Sequence, residues 1–358
     1  MQSTLRRTTI ADVAKAAGVS KTAVSFAFNA PTRLSSETVS HIHDIAAAMN
    51  YRPDPVARSL AQRRTGTLGI LTPQSLELTF NNPYHAAFAA GVAVEAERAG
   101  YALQFISPLH GSLGRAVDRA SVDGIIAVGL SSSHPDVARV RRSGMRLVVV
   151  DAPETDDEPS ISIDNEGGGR MAAEHLLGLG HRRFLVLGVE PPAGSGGRTA
   201  AVGAARMRGY RTVLRGAGLD LGDEDLVIAH TTIEGGRQAF NAAWGDGLRP
   251  TAVLAMSDAT AIGALHAARE QRIRVPAELS IVGFDDIDLA RYTDPPLTTI
   301  HQPIHQKGEE AVRLLLAERS TDPAGPSAHR RLDVRLVIRG STSHAIEAGG
   351  DRDPVLSH

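Results

Sequence analysis

The sequence of 358 residues contains no cysteine, which excludes disulfides and thiolate metal sites and favours a reducing compartment. Residues 1–10 lack the apolar core of a signal peptide, and no apolar run approaches the roughly 20 residues that cross a bilayer. No nucleophile–base pair and no oxyanion motif stands out. These absences predict a cytoplasmic protein that is not an enzyme and that carries no cofactor or metal.

Charge is distributed unevenly along the chain. Residues 1–64 hold nine Lys or Arg and four Asp or Glu, a balance of +5, whereas the whole chain carries −2 and the remainder therefore −7. A basic module on an acidic body is typical of a protein that contacts nucleic acid at one end. The hydrophobic fraction of 42% is that of a soluble globular protein, and 358 residues suit two or three domains.

The basic segment predicts three short helices between residues 9 and 49. Thr9 is a suitable N-cap for the first helix, and Gly18 ends it. Ser20 caps the second helix, and the third begins at about Ser35. Each helix carries an apolar stripe at helical spacing, so this segment is predicted to fold as a small all-α module.

The second of these helices has a polar face opposite its apolar one. That face is formed by Lys21, Thr22, Ser25, Phe26 and Asn29. Four of the side chains donate or accept hydrogen bonds, as do groups that contact phosphates and base edges. Phe26 is the exception, and two interpretations remain open: it contacts a thymine methyl in the major groove, or it packs sideways onto the third helix.

A very short helix is predicted directly after this module. Asp54 is a suitable cap, and Pro55 fits the first helical position, where its missing N–H costs nothing. The segment from Asp54 to Ala61 is too short to be stable alone and is expected to be ordered only when docked. Arg58 can meet a phosphate, and residues 62–66 form a polar, basic linker.

From Thr67 onwards, short apolar runs alternate with helix-like stretches. The predicted strands are Leu68–Leu71, Ala102–Ile106, Gly124–Val128, Leu147–Val150, Phe184–Leu187, Ala252–Ala255 and Ser280–Gly283. Strands of buried length that are each followed by a helix predict parallel, doubly wound α/β sheets. In such sheets, ligands bind beyond the carboxyl ends of the strands.

Polar residues follow three of these strands directly. They are Asp151 after the fourth, Ser257 and Asp258 after the sixth, and Asp285 and Asp286 after the seventh. A single acid at such a place is more often a helix cap. Their coincidence favours a cleft whose carboxylates, together with an arginine, bind neighbouring hydroxyls. The run Gly167–Gly169 lacks the lysine of a phosphate loop and is expected to ease helix packing.

The sequence resembles the lactose-repressor (LacI) family. The resemblance rests on Thr9–Ala14, Ala17–Ser20, Val24-Ser25, Asn29, Asn50–Pro53 and Ala57–Leu60, with looser motifs at Asp164-Asn165, Gly180–Arg182, Arg206–Tyr210 and Gly283–Asp286. It implies an all-α helix-turn-helix head at residues 1–53, a hinge helix and linker at 54–66, and a two-lobed α/β domain like that of periplasmic binding proteins at 67–345. The lobes are expected at about 67–163 with 298–324 and about 164–297 with 325–345, before a flexible tail at 346–358.

By this resemblance, the second helix of the head lies in the major groove. Base-reading positions are held by Lys21, Thr22 and Phe26, phosphate-contacting positions by Thr9, Ser20, Ser25, Asn29 and Tyr51, and DNA contacts of the hinge by Ala57 and Leu60. Leu60 is expected to wedge between base steps in the minor groove, and the alternative is that it covers a dimer contact. Phe26 stands where Arg or His is common, which implies the loss of a guanine contact.

The resemblance also implies a ligand cleft between the lobes. Its contact positions are held by Tyr84, Asp151, Arg206, Thr231, Ser257 and Asp285. The implied protein is a homodimeric repressor whose affinity for operator DNA changes when a sugar or sugar derivative binds. Alternatives are a corepressed regulator that senses a nucleobase and, in a different class, a sugar receptor or sugar-processing enzyme. Residues 341–358 lack a leucine heptad, so no coiled-coil tetramer is expected.

Overall fold

The computed structural model describes residues 8–54, 59, 64–152, 158–191, 200–317 and 329–345. The chain divides into two compact units, Met1–Gly66 and Thr67–His358. Ala57 and Leu60 of the hinge and the tail 346–358 lie outside the described residues. Among the residues that are described, no helix is long and apolar enough to cross a membrane.

The first unit, called the head below, contains the three predicted helices. They are α1 (Ile10–Ala17), α2 (Lys21–Asn29) and α3 (Ser36–Ala48). A 3-10 turn, Pro31–Arg33, connects α2 to α3. Thr9 and Asp12 form a reciprocal capping box at the start of α1, and serine hydroxyls cap α2 and α3. The predicted all-α head is therefore confirmed.

The helices of the head pack around a small apolar core. Its buried members are Val13, Ala14, Ala17, Val24, Ala27, Ile42 and Ala46. Val24 and Ala27 turn one face of α2 towards this core, and on the opposite face Ser25, Phe26 and Asn29 are half-buried. Lys21 and Thr22 are exposed there, at the N-terminal end of α2.

The second unit contains two six-stranded sheets. The first holds β1 (Thr67–Leu71), β2 (Ala102–Ile106), β3 (Gly124–Val128), β4 (Arg146–Val150), β5 (Ser160–Ile163) and β11 (His329–Leu332) in the order β11-β5-β4-β3-β1-β2. The second holds β6 (Phe184–Val189), β7 (Leu226–Ala229), β8 (Ala252–Ala255), β9 (Ser280–Asp285), β10 (Thr298–His301) and β12 (Arg335–Val337) in the order β12-β10-β9-β8-β6-β7. All neighbours are parallel except β10 and β12. The predicted two-lobed α/β fold is confirmed.

Helices connect the strands and complete the two lobes. The first lobe contains α4 (Leu76–Asn81), α5 (Pro83–Arg98), α6 (Leu113–Arg119), α7 (Pro135–Arg142) and α12 (Ile304–Leu316). The second lobe contains α8 (Asn165–Gly178), α9 (Ala201–Gly216), α10 (Ile233–Gly245) and α11 (Asp258–Glu270). The chain crosses between the lobes three times, after β5, after β10 and between β11 and β12.

Two of these crossings lie away from the predicted boundaries. β10 at 298–301 pairs with β9 in the second lobe, so residues 298–301 were wrongly predicted in the first. β11 at 329–332 pairs with β5 in the first lobe, although the sequence predicts 325–345 in the second. Both errors have one physical reason: β10 reads Thr-Thr-Ile-His and β11 reads His-Arg-Arg-Leu, and neither has the apolar run that marks a buried parallel strand.

Three helix pairs approach so closely that glycines face the neighbouring backbone. The pairs are Gly91 with Gly308 between α5 and α12, Gly169 with Gly209 between α8 and α9, and Gly236 with Gly263 between α10 and α11. A Cβ atom on Gly169 would lie 2.5 Å from the Arg206 carbonyl oxygen, and one on Gly168 would lie 2.8 Å from the Phe284 ring. The expectation that Gly167–Gly169 eases helix packing is confirmed.

This close contact predicts the effect of a single methyl group. We expect Gly169→Ala to lower the free energy of unfolding by roughly 1–3 kcal/mol, because α9 must move away from α8 to make room. Gly178→Ala is the matched control in the same helix, since nothing lies within 4 Å of its added Cβ. Alanine's higher helix propensity should leave that variant as stable as the wild type or more so. Urea unfolding of both variants measures the difference, and equal stabilities would contradict the close helix contact.

Candidate functional site

The six residues expected to contact a ligand line one cleft at the carboxyl ends of the parallel strands. They are Tyr84, Asp151, Arg206, Thr231, Ser257 and Asp285. Asp151 follows β4 in the first lobe, whereas Asp285 ends β9 in the second. Each lobe therefore supplies one carboxylate to the same cleft, as expected for ligand sites in doubly wound sheets.

A buried lysine that sequence reasoning missed lies behind the first-lobe wall of this cleft. Lys307 on α12 has no exposed surface, and its ammonium donates to Asp151 Oδ1 at 2.6 Å and to Gln302 Oε1 at 2.5 Å. The Tyr84 hydroxyl lies 3.3 Å from Lys307 Nζ and donates to Asp151 Oδ2. The burial of Lys307 could have been inferred from its place on the apolar face of α12, three residues after Ile304 and one before Gly308.

This arrangement fixes which of these groups carry charge. Burial by itself would raise the pKa of Asp151, but the Lys307 ammonium and the bonds from Lys307 and Tyr84 hold it below its ordinary value. Burial and the Asp151 carboxylate raise the pKa of Tyr84 well above its ordinary value, so the phenol remains a donor. Burial also lowers the pKa of Lys307, an effect that Asp151 opposes. Asp151 is thus an ionised acceptor at neutral pH.

Gln302, in the second crossing between the lobes, connects the two carboxylates. Its Oε1 accepts from Lys307, which leaves the amide nitrogen to donate to Asp285 Oδ1 at 2.5 Å. Asp285 has φ 125°, a conformation that non-glycine residues rarely adopt and that is concentrated at functional sites. Burial raises the pKa of Asp285 to about 6, although Arg206 and the bond from Gln302 oppose the shift.

Arg206 is held in the second-lobe wall by three contacts. It is 4% exposed, its Nε donates to Asn165 Oδ1 at 3.0 Å, and its Nη1 donates to the Met256 carbonyl oxygen. The guanidinium carbon lies 3.5 Å from the centroid of the Phe284 ring. Nη2 makes no hydrogen bond to the described residues, and Arg206 lines the cleft together with Asp285.

Other polar atoms of the cleft also lack partners. The Thr231 hydroxyl and Glu190 Oε1 are buried and form no hydrogen bond with the described residues. Glu190, which the sequence analysis missed, follows β6 as Thr231 follows β7, and its other carboxylate oxygen lies 2.6 Å from His230 Nδ1. Buried polar atoms without partners are rare in native proteins, and a bound ligand is one explanation for a pair of them in a cleft.

The remaining residues at the strand ends have structural partners. Asp258 is fully buried, accepts from the Thr299 hydroxyl and the Ile287 amide, and has its pKa raised to about 8 by burial and by Asp285. Asp286 is paired with Arg339 and His301. These two acids therefore do not line the cleft. The Ser257 hydroxyl lines it but also caps α11.

Several of the residues that are expected to contact DNA make contacts within the head. Ser25 and Asn29 are joined by a hydrogen bond of 3.4 Å between Asn29 Nδ2 and Ser25 Oγ. The Phe26 ring is half-buried, and the Arg33 guanidinium carbon lies 5.1 Å from its centroid. Tyr51 is half-buried, and its ring contacts Phe28 at 5.8 Å. Thr9 and Ser20 serve as caps of α1 and α2.

Comparison with known proteins agrees with both halves of this architecture. A sequence model described as bacterial regulatory proteins, lacI family, matches residues 9–54, and one described as a periplasmic binding protein-like domain matches residues 173–342. The ribose operon repressor of Haemophilus influenzae is 34% identical over 341 residues, which cover 93% of this chain and 98% of the relative. This chain belongs to the LacI family. It is a DNA-binding transcriptional regulator with a helix-turn-helix head and a ligand-binding domain.

Further LacI-family members match over almost the full length. The repressor CytR of Escherichia coli K12 is 30% identical, covering 93% of this chain and 96% of the relative. Among solved structures, the Lac repressor dimer bound to operator and the anti-inducer ONPF has a TM-score of 0.75 at 27% identity, covering 94% of this chain and all of that one. A complex of the regulator CelR with cellobiose has a TM-score of 0.66 at 27% identity, with the same coverage.

Proposed function

We propose that this protein is a repressor that dissociates from operator DNA when an uncharged sugar binds in the cleft. The observation that carries the proposal is that the buried cations of the cleft walls are already matched by carboxylates. Lys307 neutralises the Asp151 carboxylate, Arg206 offsets the Asp285 carboxylate, and the Glu190 carboxylate bonds to the His230 ring. An anionic ligand would face these carboxylates in a site of low polarity, whereas the hydroxyl groups of a sugar can bond to them without adding a charge.

The hydrogen-bonding atoms that remain favour a ligand rich in hydroxyl groups. Asp285 and Glu190 offer acceptors, Arg206 offers a donor, and the Thr231 hydroxyl can do either. A carboxylate and a guanidinium N–H in the same cleft suit neighbouring hydroxyls, each of which both donates and accepts. The six ligand-contacting residues expected from the sequence are thus proposed as the binding set, with Glu190 and Gln302 added.

Two relatives support the sugar class. The H. influenzae protein is named a ribose operon repressor, and a LacI-family regulator of Enterococcus faecium with bound ribose has a TM-score of 0.65 at 26% identity. A nucleobase is the alternative class, with ligand binding then strengthening operator affinity.

The protein is further proposed to act in the cytoplasm as a homodimer that binds an operator with two half-sites. The small DNA-reading surface of one head supports this, because each head reads one half-site. Coupling through lobe rotation would alter the ordering of the hinge that includes Ala57 and Leu60.

A screen of thermal stability followed by operator titration tests this proposal. The melting temperature of the full-length protein is measured with D-ribose, D-glucose and cellobiose and, in a second arm, with adenine and hypoxanthine. We expect a sugar to raise it, since a ligand that binds only the folded state stabilises that state. The same sugar should weaken binding to an operator selected from random DNA. Stabilisation by a nucleobase alone, or tighter operator binding in the presence of the sugar, would contradict the proposal.

A further inference from the structure

The reading face of α2 carries a contact between an aromatic ring and a cation. The Arg33 guanidinium carbon lies 5.1 Å from the centroid of the Phe26 ring. Phe26 stands on α2 itself, whereas Arg33 ends the turn Pro31–Arg33 that follows the helix. The contact therefore joins α2 to the turn that follows it in the chain.

Hydrogen bonds within the turn Pro31–Arg33 fix the backbone of Arg33. The Arg33 amide donates to the Ala30 carbonyl at 3.0 Å, and the Leu34 amide donates to the Pro31 carbonyl at 3.1 Å. The ring of Pro31 also locks the backbone at the first position of the turn. Arg33 is thus anchored through its backbone while its side chain is exposed.

The guanidinium is not committed to another partner. Arg33 forms no ion pair with a carboxylate among the residues that the structure describes. The exposed arginines Arg215 and Arg269 of the second unit are paired with Asp220 and Asp294 respectively. The contact with the Phe26 ring uses no hydrogen bond, and the guanidinium N–H groups form none with the described residues.

Within α2 itself, no cation lies near the C-terminal end of the reading face. α2 contains no basic residue in its last turn, and its lysine, Lys21, is the first residue of the helix. Ser25 and Asn29 bond to each other on the same face. Phe26 and Arg33 thus supply an aromatic ring and a cation beside the C-terminal half of α2.

We propose that Arg33 reads a guanine in each operator half-site and that Phe26 is a positioning residue that holds the guanidinium in the reading orientation. The inference rests on the proposed operator recognition and refines it. The planar fork of arginine pairs with O6 and N7 of guanine through two hydrogen bonds, and a ring stacked on its face leaves those donors free. The guanine contact that the phenylalanine at position 26 implied to be lost is instead supplied from the turn.

Selection from random duplex DNA with the full-length protein tests this assignment. The wild type should select a motif with a guanine in each half-site, and Arg33→Ala should lose the preference at that one position. Discrimination there should fall roughly 5- to 150-fold, the effect of losing one bidentate base contact. Phe26→Leu should lose the preference at the same position, and Phe26→Tyr, which keeps the ring, should retain it. The double variant Arg33→Ala/Phe26→Leu should lose no more than Arg33→Ala.

Thr32→Ala, an exposed change in the same turn, is the matched control and should leave the motif intact. Two outcomes would overturn the proposal. If Arg33→Ala weakens all sequences equally and reduces the salt dependence by about one phosphate contact, Arg33 contacts the backbone. If Phe26→Leu changes a different position from Arg33→Ala, the ring reads its own base. A wild type that selects no motif would instead refute operator recognition itself.

Discussion

Replacing Lys307 with methionine is expected to lower the free energy of unfolding of the second unit by about 3–5 kcal/mol, the effect of removing one partner from a buried ion pair. The change leaves the Asp151 carboxylate, 11% exposed, without its cation and Gln302 Oε1 without its donor. Denaturant unfolding of the wild type and the variant measures the loss.

Two further variants separate the buried charge from simple loss of contacts. Lys307→Met/Asp151→Asn removes both charges and should recover most of the stability, because Tyr84 can still donate to the new amide. Arg215→Met, which breaks an exposed pair with Asp220, should change stability by no more than about 1 kcal/mol. A double variant as unstable as Lys307→Met would show that packing, and not charge, holds this region.

The Lys307–Asp151 pair also predicts how the loss of stability in Lys307→Met depends on pH. In the wild type the pKa of Asp151 lies below its ordinary value, so its stabilising contribution is present above about pH 4 and is lost as the pH falls further. Without Lys307, burial raises the pKa of Asp151, and acid neutralises the unpaired charge. The gap between wild type and Lys307→Met should therefore narrow from pH 7 towards pH 4.

Loss of effector binding in Arg206→Lys and Asp285→Asn is the second large effect that we expect. Each change removes one side of the proposed grip on neighbouring hydroxyls, and truncating such a buried, hydrogen-bonded charge costs about 2–5 kcal/mol of binding. Lysine cannot reproduce the fork that reaches both Asn165 and the Met256 carbonyl. Calorimetric titration with the sugar identified in the stability screen measures the affinity, and operator binding without the sugar should be retained.

Arg215→Ala is the matched control on the same helix. Arg215 is exposed in the last turn of α9 and paired with Asp220, and it does not line the cleft, so its removal should leave sugar affinity unchanged. Because burial raises the pKa of Asp285 to about 6, wild-type affinity should weaken as the pH falls from 7 to 5. Wild-type affinity in both cleft variants would mean that the sugar binds elsewhere.

The strands that sequence patterns predict are those made of apolar residues. β2, β3 and β8 have the predicted bounds, and β1, β4, β6 and β9 differ by one or two residues at an end. β5, β7, β10, β11 and β12 were missed. β10 is buried largely through threonines, and β11 is an edge strand with two arginines, so their hydrogen bonding to neighbours decided their place more than hydrophobicity did.

Six of the residues that line the cleft were predictable from the sequence, whereas Glu190, Gln302 and the buried Lys307 were not. Asp151 and Asp285 follow visible strands, and the family motifs supply the other positions of the cleft. Lys307 was missed because a lysine is ordinarily solvated and its carboxylate partner lies 156 residues earlier in the chain. The stack of Arg33 on Phe26 was missed for a related reason: it depends on the path of a turn, which composition alone does not fix.

The glycine contacts between α5 and α12, α8 and α9, and α10 and α11 have a mechanical consequence. Helices in backbone contact have almost no free volume in which to slide, so each lobe resists shear as a stiff block. Strain from a ligand must then be taken up at the crossings, which are only residues 164, 302–303 and 333–334. Stiff arms on such a short pivot act as levers, so a small rotation at the cleft becomes a larger displacement at the far end of each lobe.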